Sequence, residues 1–262
     1  MKAGIYQMKP LFGKKEANLR KAETVISNLK CDLIALPELF STGYSFISKA
    51  ELGNYAEQIP GGNTTEFLVE LACKNSCYIA AGLAEIENDD LYNTAVFIGP
   101  HGFIGKYRKL HLFYKEKFIF KAGNLPLQIF NMEGIKVSLI ICFDWIYPEV
   151  CRSVALKGAH IVIHPSNLLK PWAQMAMRIR SVENRIFTMI ANRVGVESRS
   201  GERLKFSGRS QISDPKGEIL LSFPKAREAF ACVDIDPAVA NDKLFTPHNH
   251  LFNDRKPLMY DL

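Results

Sequence analysis

The segment Val137-Ser138-Leu139-Ile140-Ile141-Cys142-Phe143-Asp144-Trp145, with Pro148-Glu149 shortly after it, is the most informative part of the sequence. Its apolar, β-branched residues predict a buried strand, and the proline and acids after them predict the start of a helix. A thiol at such a turn is held by rigid backbone near free N–H groups, which favour a thiolate and an oxyanion. Most free cysteines are small buried hydrophobes, so this stretch alone leaves Cys142 either a nucleophile or a core side chain.

The bulk composition indicates one large α/β domain. The chain has 262 residues without a Gly/Ser/Pro-rich linker, so we predict a single domain over 1–262 with a core that needs no disulfides. The net charge of +6 comes from basic residues interleaved with acids, which makes nucleic-acid binding a weak hypothesis. The six cysteines lack paired CxxC spacing, so we predict no metal site and a reducing compartment.

The apolar runs are too short to cross a bilayer, and the chain enters a strand pattern without the apolar segment of a signal peptide. We therefore expect a cytoplasmic protein with no membrane partner. Strands are predicted at 3–8, 32–36, 78–83, 92–98, 103–107, 135–141, 159–164, 187–192, 209–213, 218–223 and 229–234. Helices are predicted at 15–30, 65–74, 148–157 and 174–185. This alternation, followed by hairpins, is typical of a mixed sheet in a layered α/β domain.

Three reactive side chains follow apolar strands. Glu38 comes after Leu33–Leu36, Lys109 follows the strand at 103–107, and Cys142 follows the strand at 135–141. Ligand crevices of layered α/β proteins lie outside the carboxyl ends of strands, where a carboxylate can take a thiol proton and a lysine can stabilise an oxyanion. Taken singly, Glu38 could cap a helix, Lys109 could be a surface cation, and Cys142 could belong to the core.

Three blocks of sequence carry a family resemblance. They are Leu36-Pro37-Glu38-Leu39-Phe40 with Thr42-Gly43-Tyr44, then Gly105-Lys106-Tyr107-Arg108-Lys109-Leu110-His111-Leu112-Phe113, and Cys142-Phe143-Asp144-Trp145 with Tyr147-Pro148-Glu149. In this order and spacing, the chain resembles the nitrilase superfamily of carbon–nitrogen hydrolases over nearly its whole length.

The resemblance implies a catalytic set. It assigns Glu38 as general base, Lys109 as the lysine that polarises the substrate and Cys142 as the nucleophile. A second family glutamate lies shortly after the lysine, and Glu116 matches that place. Because Glu116 lies between two lysines, the alternative is a charge that faces water. The implied reaction proceeds through an acyl-thioester and requires no metal or organic cofactor.

The walls of the substrate site are harder to assign. We predict that Tyr44, Asn167 and Trp145 line it and that the backbone N–H of Phe143 joins Lys109 in stabilising the oxyanion. A buried core tryptophan is an equal alternative for Trp145. We interpret His111 and His164 as structural, because the predicted catalytic set leaves them no task.

The resemblance also implies a fold and an assembly. Family members form a four-layer αββα sandwich of two mixed sheets and associate through helical faces into a dimer. We expect a homodimer or higher homo-oligomer, with the C-terminal tail at 245–262 contacting the partner. A frayed terminus is the alternative for this tail.

The predicted function is hydrolysis of a non-peptide C–N bond in a small amide or N-carbamoyl compound, which releases ammonia or an amine. By resemblance, Asp144 two residues after the cysteine favours amidases, because nitrilases of the family usually have Glu there. Hydrolysis of a small nitrile to an acid and ammonia is the alternative. An inactive scaffold, an acyltransferase and a glutaminase domain coupled to a synthetase fit the sequence less well.

Overall fold

The computed structural model describes residues 1–260. Its helices are α1 (Lys15–Asn28), α2 (Lys49–Gly53), α3 (Asn63–Asn75), α4 (Glu116–Ile119), α5 (Pro148–Leu156) and α6 (Trp172–Asn184), with short 3₁₀ helices at Cys142–Ile146, Pro237–Asn241 and Pro257–Met259. Its strands are β1 (Lys2–Gln7), β2 (Leu33–Ala35), β3 (Tyr78–Glu87), β4 (Asp90–Gly99), β5 (Gly102–Arg108), β6 (Phe130–Met132), β7 (Ile135–Leu139), β8 (Ile161–Ser166), β9 (Phe187–Asn192), β10 (Val196–Arg199), β11 (Glu202–Lys205), β12 (Gln211–Ser213), β13 (Ile219–Ser222), β14 (Ala229–Asp234), β15 (Leu244–Thr246) and β16 (Asn249–His250).

Two six-stranded sheets organise the molecule. The first has the order β14-β1-β2-β3-β4-β5, and the second has the order β13-β12-β9-β8-β7-β6. Each sheet is mixed: β1, β2 and β3 run parallel, as do β7, β8 and β9, while the outer strands pair antiparallel. The same order of parallel centre and antiparallel edges therefore occurs twice.

The sheets pack face to face with helices outside. Ala3, Ile5 and Phe97 of the first sheet share one buried cluster with Val137 and Val162 of the second. A separate cluster joins the other face of the first sheet to α1 and α3, and the main cluster continues past the second sheet into α5 and α6. The prediction of a four-layer αββα sandwich of two mixed sheets is confirmed. Successive side chains of a strand point to opposite faces, so each sheet buries one face against the other sheet and one face against helices.

The chain around Cys142 differs in detail from the predicted strand. Strand β7 ends at Leu139, and Cys142 begins a 3₁₀ helix that leads into α5. Cys142 has φ +42°, a left-handed conformation that is unfavourable for a residue with a Cβ. Such strain marks a place where the surrounding structure holds a side chain in one direction.

Among residues 1–260, no helix combines the length and apolarity that a bilayer crossing requires. The single-domain prediction for 1–262 stays a prediction. Of the tail at 245–262, residues 261 and 262 lie outside the described part of the chain. Its described part contains β16 and the Pro257–Met259 turn, and Phe252 packs against the main core.

Candidate active site

Glu38 lies just after β2 and is fully buried. Its Oε1 accepts hydrogen bonds from Asn93 Nδ2 at 2.6 Å and from Lys109 Nζ at 2.8 Å. Its Oε2 is also buried and has no hydrogen-bond partner among residues 1–260. Because buried carboxylate oxygens are normally paired, Oε2 is the atom available to a proton of the nucleophile or substrate.

Lys109 bridges two carboxylates. Its fully buried Nζ donates to Glu38 Oε1 and to Glu116 Oε1, each at 2.8 Å. Burial alone lowers the pKa of Lys109, but the facing charges of Glu116 and Glu38 outweigh it and raise that pKa well above its usual value. The ammonium is therefore held charged and fixed in direction.

Glu116 is buried rather than solvated. Besides Lys109, its Oε1 accepts from Tyr44 Oη at 2.8 Å, and its Oε2 accepts from the Phe113 backbone N–H at 2.8 Å. Burial raises the pKa of its carboxyl, opposed by Lys109 and reinforced by the charge of Glu38. The geometry contradicts the alternative of a charge that faces water.

The Cys142 thiol is buried among these groups. Burial raises its pKa well above the usual value, and the negative charge of Glu38 adds to that rise while Lys109 opposes it. The resting thiol is therefore protonated, and its reaction needs a base. The backbone N–H of Asn167, which follows β8, faces the sulfur and lowers the thiol pKa somewhat.

Asn167 has a second feature of interest. Its side-chain Oδ1 and Nδ2 are both buried and have no hydrogen-bond partner among residues 1–260. A buried amide left without partners costs about 1–3 kcal/mol per unsatisfied group, unless a ligand supplies the missing bonds. The sequence placed Asn167 in the substrate site, and the structure brings it to the thiol.

The two histidines hold backbone and carboxylate groups of the turn. His164 is fully buried, with Nε2 at 2.7 Å from the carbonyl oxygen of Cys142, so Nε2 carries the proton. Burial lowers the pKa of His164 to about 4, which keeps it neutral. His111 Nδ1 lies 2.8 Å from Asp144 Oδ1, and its ring stacks on Tyr147.

Asp144 fixes the turn rather than facing the cavity. Its Oδ2 accepts from Ile141 N–H and Tyr107 Oη, both at 2.8 Å, and its side chain is fully buried. The carboxylate therefore accepts hydrogen bonds from the backbone and from neighbouring side chains that shape the turn at Cys142.

A cavity of about 350 Å³ opens beside Tyr44 and Glu116. Its walls are largely aromatic and apolar, with Phe113, Leu169 and Leu204 among them. Its cations are paired: Arg199 Nη2 contacts Glu51 Oε1 at 2.6 Å, and Lys115 Nζ contacts Glu202 Oε1 at 2.7 Å. The cavity volume suits a small organic molecule. Of the predicted catalytic residues, Glu116 lines this cavity, and its hydrogen bond to Lys109 connects the cavity to the thiol; Cys142, Glu38 and Lys109 are not among its lining residues. We call it the active-site cavity.

Phe143, the predicted oxyanion donor, and Trp145, a predicted wall residue, lie in different places. Phe143 follows the thiol, packs against Phe113 with ring centroids 5.1 Å apart, and lies in the first turn of its 3₁₀ helix, where N–H groups have no intrahelical acceptor. Trp145 instead lines a separate surface cavity with Trp172 and Met175 and packs against the main core. We therefore do not retain Trp145 as a wall of the substrate site.

Several residues that position the site were missed from the sequence. Asn93 holds Glu38, and its signal was a polar side chain within strand β4, just before the apolar run at 95–98. Glu197 accepts from the backbone N–H groups of Tyr44 and Ser45 and from Arg193 Nη1, fixing the loop that carries the Tyr44 hydroxyl. Asn93 is far from Glu38 in the sequence, and Glu197 is far from Tyr44 and Ser45, so no local pattern connects these pairs.

Within residues 1–260, no cluster of three or more His, Cys, Asp or Glu side chains has the arrangement of a metal site. The charged groups at Cys142 instead hydrogen-bond one another. Together, the thiol, the two carboxylates and the ammonium can perform nucleophilic attack, proton transfer and stabilisation of an anion.

Comparisons with known proteins identify the family of the chain. A family model described as carbon–nitrogen hydrolase matches residues 2–242. A nitrilase of Pyrococcus abyssi is 44% identical over 263 residues, covering 99% of this chain and 99% of that protein. An (R)-stereoselective amidase of Pseudomonas sp. is 30% identical, covering 84% and 80%. The crystal structure of Saccharomyces cerevisiae Nit3, of branch 10 of the nitrilase superfamily, aligns with a TM-score of 0.82 and 26% identity over 92% of both chains.

Proposed function

The chain belongs to the carbon–nitrogen hydrolase family, and from that membership we propose that it hydrolyses a non-peptide C–N bond of a small amide or N-carbamoyl compound. The reaction proceeds through an acyl-enzyme on Cys142. One observation carries the proposal: Lys109 bridges Glu38 and Glu116 beside a thiol in a strained turn. An ordinary buried ion pair would not require a left-handed cysteine next to it.

In the first half-reaction, Cys142 Sγ attacks the carbonyl carbon while Glu38 Oε2 takes the thiol proton. The attack places negative charge on the substrate oxygen, which Lys109 and the backbone N–H of Phe143 stabilise. The C–N bond then breaks, and Glu38 returns the proton to the departing nitrogen, so ammonia or an amine leaves and a thioester remains.

In the second half-reaction, water replaces the amine. Glu38 takes one proton from the water as its oxygen attacks the thioester carbon, and the acid and the free thiol are regenerated. Glu116 orients Lys109, because Tyr44 and the Phe113 N–H hold its carboxylate in place. Asn167, whose two polar side-chain atoms find no partner in the described part of the chain, supplies hydrogen bonds to the substrate.

Nitrile hydrolysis is the second candidate, and the 44% identical nitrilase favours it. Attack of Cys142 on a nitrile carbon gives a thioimidate, which water converts to the same thioester with loss of ammonia. Asp144, which favours the amide reading by family resemblance, hydrogen-bonds the turn and not the cavity. Its effect on the substrate therefore acts through the position of Cys142.

A substrate panel distinguishes the two candidates. Ammonia release is measured from small amides, N-carbamoyl amines, ω-amides and nitriles, with the purified protein and with Cys142→Ala. We expect turnover of amides or carbamoyl compounds, none by Cys142→Ala, and an acyl mass on Cys142 in trapped samples. Turnover restricted to nitriles would select the second candidate, and turnover by a folded Cys142→Ala would refute the cysteine mechanism.

We further propose that the chain forms a homodimer or higher homo-oligomer through α6 and the C-terminal tail. Trp172, Met175 and Ile179 of α6 are each more than half exposed. In the tail, Leu258 and Met259 are also strongly exposed. An apolar face of this kind is stabilised when a second copy covers it. The cytoplasmic location stays a prediction.

A further inference from the structure

A second cavity of about 480 Å³ adjoins the active-site cavity, because Leu169 and Leu204 line both. We call it the basic cleft. Its lining contains no acidic residue, and half of the lining residues are cations, namely Lys170, Arg203, Lys205, Arg209 and Lys225. A concave surface of one sign focuses the electrostatic potential and concentrates counter-ions.

The charges of the basic cleft are unbalanced. Across the described part of the chain, none of its five cations forms an ion pair. The neighbouring cations of the active-site cavity differ, since Lys115 pairs with Glu202 and Arg199 with Glu51. All five side chains are exposed, so solvent screens their mutual repulsion, and an anion in the cleft would gain an attraction that no acid of the cleft already satisfies.

A helix N-terminus adds to the positive potential. Lys170 and Pro171 line the cleft, and the 13-residue helix α6 begins at the next residue, Trp172. No side chain caps this end, and its first turn carries no acid. The free N–H groups and the helix dipole therefore favour an anion at this end of the cleft.

Ser207 provides a neutral donor at the same place. It is 93% buried and lines the cleft, and its Oγ accepts from Asn192 Nδ2 at 3.1 Å. No acceptor for its hydroxyl proton exists among the described hydrogen bonds. Asn192 Oδ1 in turn holds the Leu168 N–H at 2.9 Å, next to the residue whose N–H faces the Cys142 thiol.

We propose that the basic cleft binds a small anion that carries two or more negative charges on carboxylate or phosphate groups. The cleft volume suits a small molecule, and the cations, the helix end and the Ser207 hydroxyl supply the donors. The anion is either the far end of a substrate whose C–N bond lies at Cys142, or a separate ligand beside that substrate. The basic cleft and the active-site cavity share the wall formed by Leu169 and Leu204.

Binding is tested by titration calorimetry on the full chain with inorganic pyrophosphate and with citrate. We expect one site per chain, weakened by salt, and about tenfold weaker binding by Lys170→Gln/Lys205→Gln, because hydrogen bonds to charged groups are lost. The matched control is Lys2→Gln/Lys30→Gln, which removes two exposed cations elsewhere and leaves binding unchanged. Absence of binding, or equal weakening in the control, would overturn the proposal.

Kinetics separate the two sources of the anion. If the substrate carries it, Lys170→Gln/Lys205→Gln lowers kcat/KM for an amide whose far end bears two carboxylates, but not for the dimethyl ester of that amide. If the anion is separate, pyrophosphate alters the kinetics of the neutral ester without competing with it. Pyrophosphate binding by a protein that turns over no amide or nitrile would contradict the proposed reaction alone.

Discussion

At the scale of single residues, the site depends on one lysine that donates hydrogen bonds to two carboxylates. Lys109 reaches both Glu38 and Glu116, while Glu38 Oε2 is left free. The sequence predicted Glu38, Lys109 and Cys142 because each follows an apolar strand and lies in a family block, and it predicted Glu116 from its place shortly after the lysine. It did not identify Asn93, since its hydrogen bond to Glu38 joins residues 55 positions apart.

Glu116→Gln tests whether the second carboxylate acts in turnover. The substitution preserves size but removes a charge that orients the Lys109 ammonium, so we expect kcat to fall about 100-fold or more. Ammonia release measures this, with circular dichroism to show that the fold persists. The exposed Glu16→Gln serves as a control with unchanged kcat. A variant of Glu116 with wild-type kcat would leave this residue a structural role only.

His164 predicts a pH dependence of stability. Its pKa is about 4 in the folded state against an ordinary value of 6.5, so between these pH values the unfolded chain binds more protons. The free energy of unfolding therefore falls as the pH drops from 6.5 towards 4, by about 3 kcal/mol from this group.

Urea unfolding of the wild type and of His164→Gln at pH 7 and pH 4.5 measures this contribution. Glutamine retains a donor for the Cys142 carbonyl but does not titrate, so the variant should lose less stability on acidification than the wild type. Equal losses of unfolding free energy in the two proteins would show that protonation of His164 does not contribute to the pH dependence of stability.

At the scale of elements, a close approach between β3 and the segment after β2 positions the base. Gly82 N–H donates to the Pro37 carbonyl at 3.1 Å, and the Gly82 carbonyl accepts from the Phe40 N–H at 3.1 Å. A Cβ at Gly82 would lie 2.5 Å from the Glu38 Cα. The absence of a side chain at Gly82 therefore allows Glu38 to lie where Lys109 can reach it.

Gly82→Ala should displace the backbone that carries Glu38. We expect a loss of about 1–3 kcal/mol in the free energy of unfolding, together with reduced kcat, because the clash is with backbone atoms that cannot rotate away. The control is Gly53→Ala, where the added Cβ meets no atom within 4 Å and stability should change by less than about 0.5 kcal/mol. Denaturation and ammonia release are measured on both variants. Equal effects would show that Gly82 does not position Glu38.

At the scale of the whole molecule, two sheets with the same strand order bring the ends of β2, β5, β7 and β8 to one place. Glu38, Lys109, Cys142 and Asn167 follow these strands. The outer helices of the second sheet keep an exposed apolar face on α6. The proposed catalytic site at these strand ends and the proposed docking face on α6 therefore use different residues.

The proposed assembly is tested by Ile179→Glu. The side chain is 56% exposed, so the fold should tolerate the charge, while a charge buried between two copies would be unpaired and costly. Light scattering at micromolar concentration should show a dimer or larger assembly for the wild type and a smaller species for the variant. Ile104→Glu, at an exposed site on β5, should leave the assembly intact. A monomeric wild type would refute the proposal.

The sequence by itself determined the layered α/β class, the family and the residues at the strand ends, because periodicity and short blocks of sequence are local signals. Only the tertiary structure decided that Glu116 is buried, that Asp144 and His164 hold the turn at Cys142, and that Trp145 lies elsewhere. It alone gathered the unpaired cations of the basic cleft. The physical reason is that burial and pairing depend on neighbours distant in the chain, which no local pattern records.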